Sequence, residues 1–225
     1  MNTTQIIPAL IVSDKDIYND FQELKDKFER LRPFLAEFDN WVQIDITDGE
    51  FVTSKTNISF EELAYFTKLV NVEFHLMVIR LQQSIEKWIE LGPKRIIFHI
   101  EAYESEDINS IIKKCQQAQI EVGLALNPET PSSSIKPWLE KIDSVMFMGV
   151  HPGRGGQPFL SDTATKIGLL RYNHPNIKIE VDGGVRVENI RQLKEAGADI
   201  FVVGSGLFVA PDVGQAIKDL KSALS

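Results

Sequence analysis

The sequence predicts an α/β protein whose eight strands, each followed by helical sequence, form a (β/α)₈ barrel. Three observations support this class: short β-rich runs alternate with longer helical patterns, eight such units fill the chain, and 225 residues suit one barrel domain spanning 1–225. Strands joined by crossovers pair in parallel, and eight such units close most naturally as a barrel. The expected strands are residues 6–11, 41–45, 72–77, 95–99, 121–126, 144–148, 178–182 and 200–203.

The segments between these strands carry amphipathic or charged helical patterns. Ser84 and Ser161 precede two of them and have good N-cap chemistry, whereas Gly92 and Gly197 are helix-stop signals. Pro33 predicts that the first helical segment breaks into two pieces. The clearest helical segments are residues 16–38, 84–91, 107–119, 163–172, 187–196 and 214–224.

An open, doubly wound sheet is the alternative architecture. Such sheets usually carry a Gly-x-Gly-x-x-Gly turn after the first strand. Here the first expected strand continues into Val12, Ser13 and Asp14 without any glycine. The sequence therefore favours the barrel.

Composition and charge exclude several classes of protein. The formal net charge of −8 argues against broad nucleic-acid binding, which needs a basic face. Cys115 is the single cysteine, so no intramolecular disulfide can form and a reducing compartment is expected. No apolar run is long enough to span a membrane, and residues 1–11 do not resemble a signal peptide. We expect a cytoplasmic homo-oligomer without membrane or nucleic-acid partners.

The polar residues at the carboxyl ends of the expected strands are the first candidates for a site, because barrel enzymes build their active sites there. Period-two alternation places Gln43 and Asp45 on one side of strand two, and Asp182 on the matching side of strand seven. These side chains must face inward, since the outer face is covered by helices. His75 lies near the carboxyl end of strand three, next to strand two.

Two aspartates on nearly facing strands suit a reaction in which one group removes a proton and another returns it to the opposite face. Inversion at a carbon next to a carbonyl passes through an enediolate, whose charge needs stabilisation. A divalent metal held by Asp45, His75 and Asp182 could supply it. Taken singly, an aspartate at a barrel rim is more often a helix cap, and a lone histidine is usually structural. The three together favour function.

Glycine-rich turns after strands six, seven and eight give a second signal. Loops after strands seven and eight of barrels often bind phosphate through backbone N–H groups and a short helix N-terminus. The alternative interpretation is that these turns need glycine for their backbone geometry. Taken together the clusters predict a phosphate site, formed by Gly153, Arg154, Gly155, Gly156, Gly183, Gly184, Gly204 and Ser205.

Ordered blocks from residue 6 to residue 208 resemble the ribulose-phosphate 3-epimerase family. The blocks are Ile-Pro-Ala-Leu at 7–10, Asp-Ile-Thr-Asp-Gly-Glu-Phe-Val at 45–52, Phe-His-Leu-Met-Val at 74–78, Phe-His-Ile-Glu-Ala at 98–102, Gly-Leu-Ala-Leu-Asn-Pro-Glu-Thr-Pro at 123–131, the loop at 152–157, Val-Asp-Gly-Gly at 181–184 and Gly-Ser at 204–205. The resemblance implies a TIM barrel of the ribulose-phosphate-binding type. It also implies an isomerase of the pentose phosphate pathway that interconverts ribulose 5-phosphate and xylulose 5-phosphate.

The resemblance also assigns roles to individual residues. It implies that Gln43, Asp45, His75 and Asp182 hold a divalent metal such as Zn, Fe, Mn or Co, and that the two aspartates are the acid and base. His75 and the residues of the three glycine clusters would contact the phosphorylated sugar.

Four departures from the family pattern bear on substrate and turnover. Gln43 replaces a histidine, and an amide oxygen is a weaker donor than imidazole for zinc-like ions. Thr47 replaces a methionine and Val12 a polar residue, while the strand-six loop begins with His151 and ends with Arg154 in place of Asn and Phe. Arg154 would add a cation near the substrate.

Two further functions remain open from the sequence. One is a catalytically impaired barrel that binds a phosphosugar in a regulatory role. The other is a different enzyme on the same scaffold, although decarboxylase-like relatives need an Asp-x-Lys-x-x-Asp array that is missing after Asp45. A Schiff-base aldolase needs a lysine at the carboxyl end of a strand, and Lys178 begins strand seven instead.

Overall fold

Eight parallel strands form a closed barrel in the computed structural model, which describes residues 4–12, 19–153 and 156–225. Neighbouring strands pair in sequence order, and the first also pairs with the last, so the sheet has no free edge. The predicted barrel is confirmed, with strand bounds that shift by at most two residues. The strands are β1 Gln5–Leu10, β2 Trp41–Thr47, β3 Asn71–Met77, β4 Arg95–His99, β5 Glu121–Leu126, β6 Ser144–Met148, β7 Lys178–Asp182 and β8 Ile200–Val203.

Helices cover the outside of the barrel. The first helical segment breaks as predicted, because α1 ends at Leu31 and a 3₁₀ helix, Arg32–Phe38, begins with Pro33 in its first turn. Residues 16–18 of that segment lie outside the described residues. The α-helices are α1 Asp20–Leu31, α2 Phe60–Thr67, α3 Ile85–Glu90, α4 Ser105–Gln117, α5 Asp162–Asn173, α6 Ile190–Ala196, α7 Ser205–Phe208 and α8 Val213–Leu224.

Two of the connections between strands contain helices that were not among the clear helical segments of the sequence. After β2 the chain forms α2, which begins with a capping box in which Ser59 and Glu62 each bind the other's backbone N–H. The Ser-x-x-Glu spacing is the sequence feature that could have predicted the start of α2. Between β5 and β6 the structure contains a short 3₁₀ helix, Ser132–Trp138, interrupted by Pro137. In the described parts of the chain no helix is long and apolar enough to cross a membrane.

The predicted helix caps are correct in position but only partly in chemistry. Ser84 and Ser161 are the N-cap residues of α3 and α5, yet neither side chain accepts a hydrogen bond from its helix. Their capping role was therefore wrong, because neither residue has the extended backbone that an N-cap side chain needs. Gly197 ends α6 with a φ of +112°, as expected of a helix-stop glycine.

The inside of the barrel contains both polar and apolar side chains. The polar ones form two groups: the rim cluster, defined as Gln43, Asp45, His75 and Asp182, and the barrel floor, defined as Glu73, Arg95, Glu121 and Glu180. An apolar cluster of the interior consists of Ile7, Ala9, Ile97, Ala125, Met146, Met148, Ile200 and Val202.

Candidate active site

Two aspartates and a histidine meet at the carboxyl ends of three strands. Asp45 on β2 lies opposite His75 in the β2–β3 register, and Asp182 reaches the same point from β7. One ligand atom from each of the three lies within 4.8 Å of the other two. This confirms the inward orientation of the aspartates, because side chains from strands on opposite sides of the barrel can meet only inside it.

Gln43 binds both aspartates through its amide nitrogen. Its Nε2 lies 2.7 Å from Oδ1 of Asp45 and 2.8 Å from Oδ2 of Asp182. The side chain is fully buried, and its Oε1 has no hydrogen-bond partner among the described residues. The resemblance implies that residue 43 offers a donor atom to a metal, whereas the atom facing the aspartates here is a nitrogen that donates hydrogen bonds.

His75 contacts the same two carboxylate oxygens from the other side. Its Nδ1 lies 3.4 Å from Asp45 Oδ1 and 3.1 Å from Asp182 Oδ2. Its Nε2 lies 2.9 Å from Nε2 of His99, and the two rings are stacked with centroids 5.1 Å apart. Because Nε2 is occupied by His99, Nδ1 is the atom that His75 directs at the aspartates.

His99 and Glu101 extend this series of side-chain contacts, and neither was predicted from the sequence to have a role. Nδ1 of His99 lies 3.5 Å from Oε2 of Glu101, whose Oε1 accepts hydrogen bonds from the Asn127 backbone at 2.8 Å and from the Thr130 hydroxyl. The carboxylate thus links the histidine pair to the loop after β5. The sequence feature that could have indicated this contact is the position of His99 at the end of β4, because His75 lies near the end of the neighbouring β3.

Burial and mutual repulsion shape the electrostatics of the rim cluster. Burial, together with the charge of Asp182, raises the pKa of Asp45 above its usual value, although His75 and Gln43 oppose this shift. Burial also disfavours a charged His75, but hydrogen bonds and attraction from Asp182 and Asp45 raise its pKa to about 10. A proton on His75 or on Asp45, or a metal ion, would relieve the repulsion between the two carboxylates.

The glycine turns after β7 and β8 lie next to each other. Gly183 and Gly184 have φ values of +98° and +69°, and a Cβ on Gly206 would lie 3.2 Å from the carbonyl oxygen of Val185. A Cβ on Gly204 would lie 2.7 Å from Ile11. Backbone conformation and close packing already explain these glycines, so the phosphate site that they form with Ser205 stays a prediction.

The loop after β6 is only partly described, because Arg154 and Gly155 lie outside the described residues. Gly153 has a φ of +102°, and its carbonyl oxygen accepts a 2.8 Å hydrogen bond from Ser54 in the loop after β2. Gly156 and Gly184 border a groove of about 410 Å³ that also contacts Arg186. The groove thus joins the strand-six loop to the turn after β7.

The structure places the side chains of three departures from the family pattern. The hydroxyl of Thr47 lies 3.1 Å from that of Thr56, which also accepts a hydrogen bond from the Thr47 backbone, so this side chain is tied to its neighbour. Val12 packs against the hydrophobic core. Nδ1 of His151 lies 3.1 Å from Oε1 of Glu129, and this exposed contact joins the loops after β6 and β5.

Comparison with known proteins agrees with this geometry. The family model described as "Ribulose-phosphate 3 epimerase family" matches residues 17–208. The chain belongs to the ribulose-phosphate 3-epimerase family. This is a family of isomerases that epimerise carbohydrates, and its name fits the pentose phosphate pathway.

Curated members of the family match most of the chain. The ribulose-phosphate 3-epimerase of Schizosaccharomyces pombe is 30% identical over 234 residues, covering 100% of this chain and 95% of the relative. The enzyme of Escherichia coli K12 is 33% identical over 190 residues, covering 82% of this chain and 84% of the relative. The resemblance seen in the sequence is therefore confirmed.

Solved structures support the fold alone, because their sequence identities are low. KGPDC from Streptococcus mutans, solved as a complex, has a TM-score of 0.73 at 13% identity, covering 100% of this chain and 98% of that chain. A 3-hexulose-6-phosphate synthase has a TM-score of 0.66 at 15% identity, covering 97% of this chain and 100% of that chain.

Proposed function

We propose that this protein is a metal-dependent 3-epimerase of a ketose phosphate, acting on ribulose 5-phosphate and xylulose 5-phosphate or a close relative. The observation that carries the proposal is the meeting of Asp45 and Asp182 from opposite sides of the barrel, with His75 beside both. Family membership supplies the reaction class. We further propose that residues 1–225 act as one barrel domain, while a cytoplasmic location and a homo-oligomeric state stay predictions.

The two aspartates divide the proton transfers of such a reaction. One carboxylate removes the proton from carbon 3, next to the carbonyl at carbon 2, and the electron pair moves toward the carbonyl oxygen to give an enediolate. The other aspartate, in its acid form, returns a proton to the opposite face and inverts the centre. The raised pKa of Asp45 suits the acid form in one direction of the reaction.

The rim cluster also fits a divalent metal ion. Asp45, His75 and Asp182 offer two carboxylate oxygens and an imidazole nitrogen, a mixed donor set suited to Zn, Fe, Mn or Co. Nδ1 of His75 lies 3.4 Å from Asp45 Oδ1 and 3.1 Å from Asp182 Oδ2, so the three donor atoms are close enough together for one ion to contact them all. When bound, the ion supplies a Lewis acid that stabilises negative charge on the substrate.

The phosphate of the sugar would bind between the turn after β7 and the start of α7. Gly183 and Gly184 lie in the first, and Gly204 and Ser205 in the second, where backbone N–H groups have no acceptor within the short helix. A crystal structure obtained at high phosphate should show an anion there. Ordered loops without an anion would count against a phosphorylated substrate.

The decisive experiment is an epimerisation assay on ribulose 5-phosphate, with metal content measured on the same preparation. Turnover in D₂O should place deuterium at carbon 3 of the product, because acid and base groups exchange their protons with solvent. Product without deuterium would rule out this mechanism. Binding of the sugar phosphate without turnover, in metal-loaded protein, would identify a binding barrel instead.

A further inference from the structure

We propose that Gln43 is a positioning residue that clamps Asp45 and Asp182 together through its amide nitrogen. This goes beyond the metal-ligand role that the family pattern implies for position 43, and it rests on the proposed function because that function gives the two aspartates their roles. Nε2 of Gln43 lies 2.7 Å from one carboxylate and 2.8 Å from the other, which are normal distances for N–H···O bonds.

The chemistry of the contacts fixes which end of the amide faces the aspartates. Ionised carboxylate oxygens only accept hydrogen bonds, and an amide nitrogen carries two hydrogens, one for each aspartate. Rotating the amide of Gln43 by half a turn would place its partially negative Oε1 against two anionic oxygens. The structure instead leaves Oε1 buried without a partner among the described residues, a cost that the two charge-assisted bonds offset.

The clamp offsets the repulsion between the two carboxylates that the barrel brings together. Asp45 and Asp182 come from strands on opposite sides and are brought together in a buried interior, where like charges repel strongly. A neutral double donor satisfies one oxygen of each without adding charge. The aspartates are therefore held in place before any metal or substrate binds.

The clamp is compatible with a metal held by three protein residues. Each carboxylate oxygen has two lone pairs, so it can bind an ion beside Nδ1 of His75 and still accept the hydrogen bond from Gln43. Ligation through Oε1 would instead require the amide to rotate and break both bonds. Clamping through Nε2 and metal ligation through Oε1 therefore require opposite orientations of the Gln43 amide.

The first test measures the melting temperature of metal-free Gln43→Leu and Gln43→Glu proteins. A clamp predicts that the leucine variant melts roughly 6–20 °C lower, since two charge-assisted hydrogen bonds are lost, and that the glutamate variant melts lower still. A residue that only ligates metal predicts no loss without metal. Gln215→Leu is the matched control, because the Gln215 amide donates to Asp219 at 2.8 Å between exposed side chains of α8. The melting temperature of this control should change by no more than about 2 °C.

The second test uses the unmodified protein and does not depend on a variant folding. In metal-free protein labelled with ¹⁵N-glutamine, the side-chain NH₂ protons of Gln43 should exchange slowly with solvent, and they should stay protected after Zn²⁺ is added. The signals are assigned in the parent protein, additionally labelled with ¹³C, through their connectivity to the backbone of Gln43. Rapid exchange in metal-free protein, or loss of protection on adding Zn²⁺, would overturn the clamp.

A kinetic measurement separates positioning from general structural support. Gln43→Leu should lower kcat by up to about 10²-fold with little change in KM, because the aspartates lose their placement while the phosphate turns are untouched. An unchanged kcat would overturn the proposal. The thermal and NMR results need neither substrate nor activity, so they test the clamp even if the epimerase assay fails.

Discussion

The rim cluster and the barrel floor place the same kind of charge inside one barrel and neutralise it in different ways. On the floor, Arg95 binds Glu73 through Nη1, Glu121 at 2.8 Å and Glu180 at 3.4 Å, and it stacks over the ring of Trp41. The two rim carboxylates have no ion pair with an arginine or lysine of the described chain. Arg95 is a permanent cation and makes the floor a structural element. The rim carboxylates can instead be neutralised by a proton or by a metal ion.

The largest expected contrast between the two regions is in catalysis. Asp45→Asn and Asp182→Asn should each lower epimerisation by at least about 10²–10⁴-fold, because each removes an acid–base group and weakens the metal site. Glu180→Gln, two residues from Asp182 but on the floor, should remain active. Initial rates measured at matched metal content check this. Near-normal activity in either asparagine variant would remove that aspartate from the mechanism.

In stability the barrel floor, rather than the rim cluster, should show the large effect. Arg95→Met should cost about 3–5 kcal/mol of unfolding free energy, because it leaves Glu73 and Glu180 buried without their cation. Arg80→Met is the control, since the Arg80–Glu50 ion pair is exposed and should be worth less than about 1 kcal/mol. Urea denaturation measures both. Equal losses would show that the floor does not depend on its arginine.

A smaller effect is expected at the rim when imidazole replaces the amide. Gln43→His should bind Zn²⁺ more than about tenfold more tightly, because imidazole is a better donor for zinc than any group glutamine offers. Competition with a chromophoric chelator gives the dissociation constants, and Gln215→His controls for an added surface histidine. Equal affinities for Gln43→His and the parent would mean that position 43 does not face a metal.

The last effect is gradual and concerns the pH dependence of the floor. Burial and repulsion from Glu73 raise the pKa of Glu180 well above its usual 4.5, so the folded protein binds a proton there that the unfolded chain releases. This contribution to stability is complete below about pH 4.5 and is lost as pH rises toward the folded pKa, by at most about 1.4 kcal/mol per pH unit.

Glu180→Gln should remove this dependence, because an amide does not titrate. The unfolding free energy of the parent should therefore fall relative to the variant between pH 5 and pH 8, as measured in urea. A difference that does not change with pH would show that Glu180 carries no extra proton.

The sequence predicted the strands and the meeting of the aspartates because both follow from side-chain alternation along strands and from closure of the barrel. Alternation along β2 placed Gln43 and Asp45 on one side, and parallel strand ends in a closed barrel brought Asp182 to them. The orientation of the Gln43 amide was not predictable, because it depends on two acceptors, one of them 139 residues away along the chain. His99 was missed for a similar reason, since its contact with His75 depends on the β3–β4 register.

Helix caps were a weaker part of the prediction. Ser84 and Ser161 have the right residue type at the right place, but their side chains do not bind the helix because the incoming backbone is not extended. The capping box at Ser59 succeeds because its backbone is extended, with a ψ of 160°. Residue type alone does not determine the backbone conformation that capping requires.

The pairing of β1 with β8 has a consequence for biosynthesis. Gln5 pairs with Ile200 and Pro8 with Val203, so β1 completes its hydrogen bonds only after β8 has been synthesised. At about 5–20 residues per second, roughly 10–40 s separate the two strands during synthesis. Throughout that interval the nascent sheet has unpaired edges, and unpaired strand edges can pair wrongly with other chains.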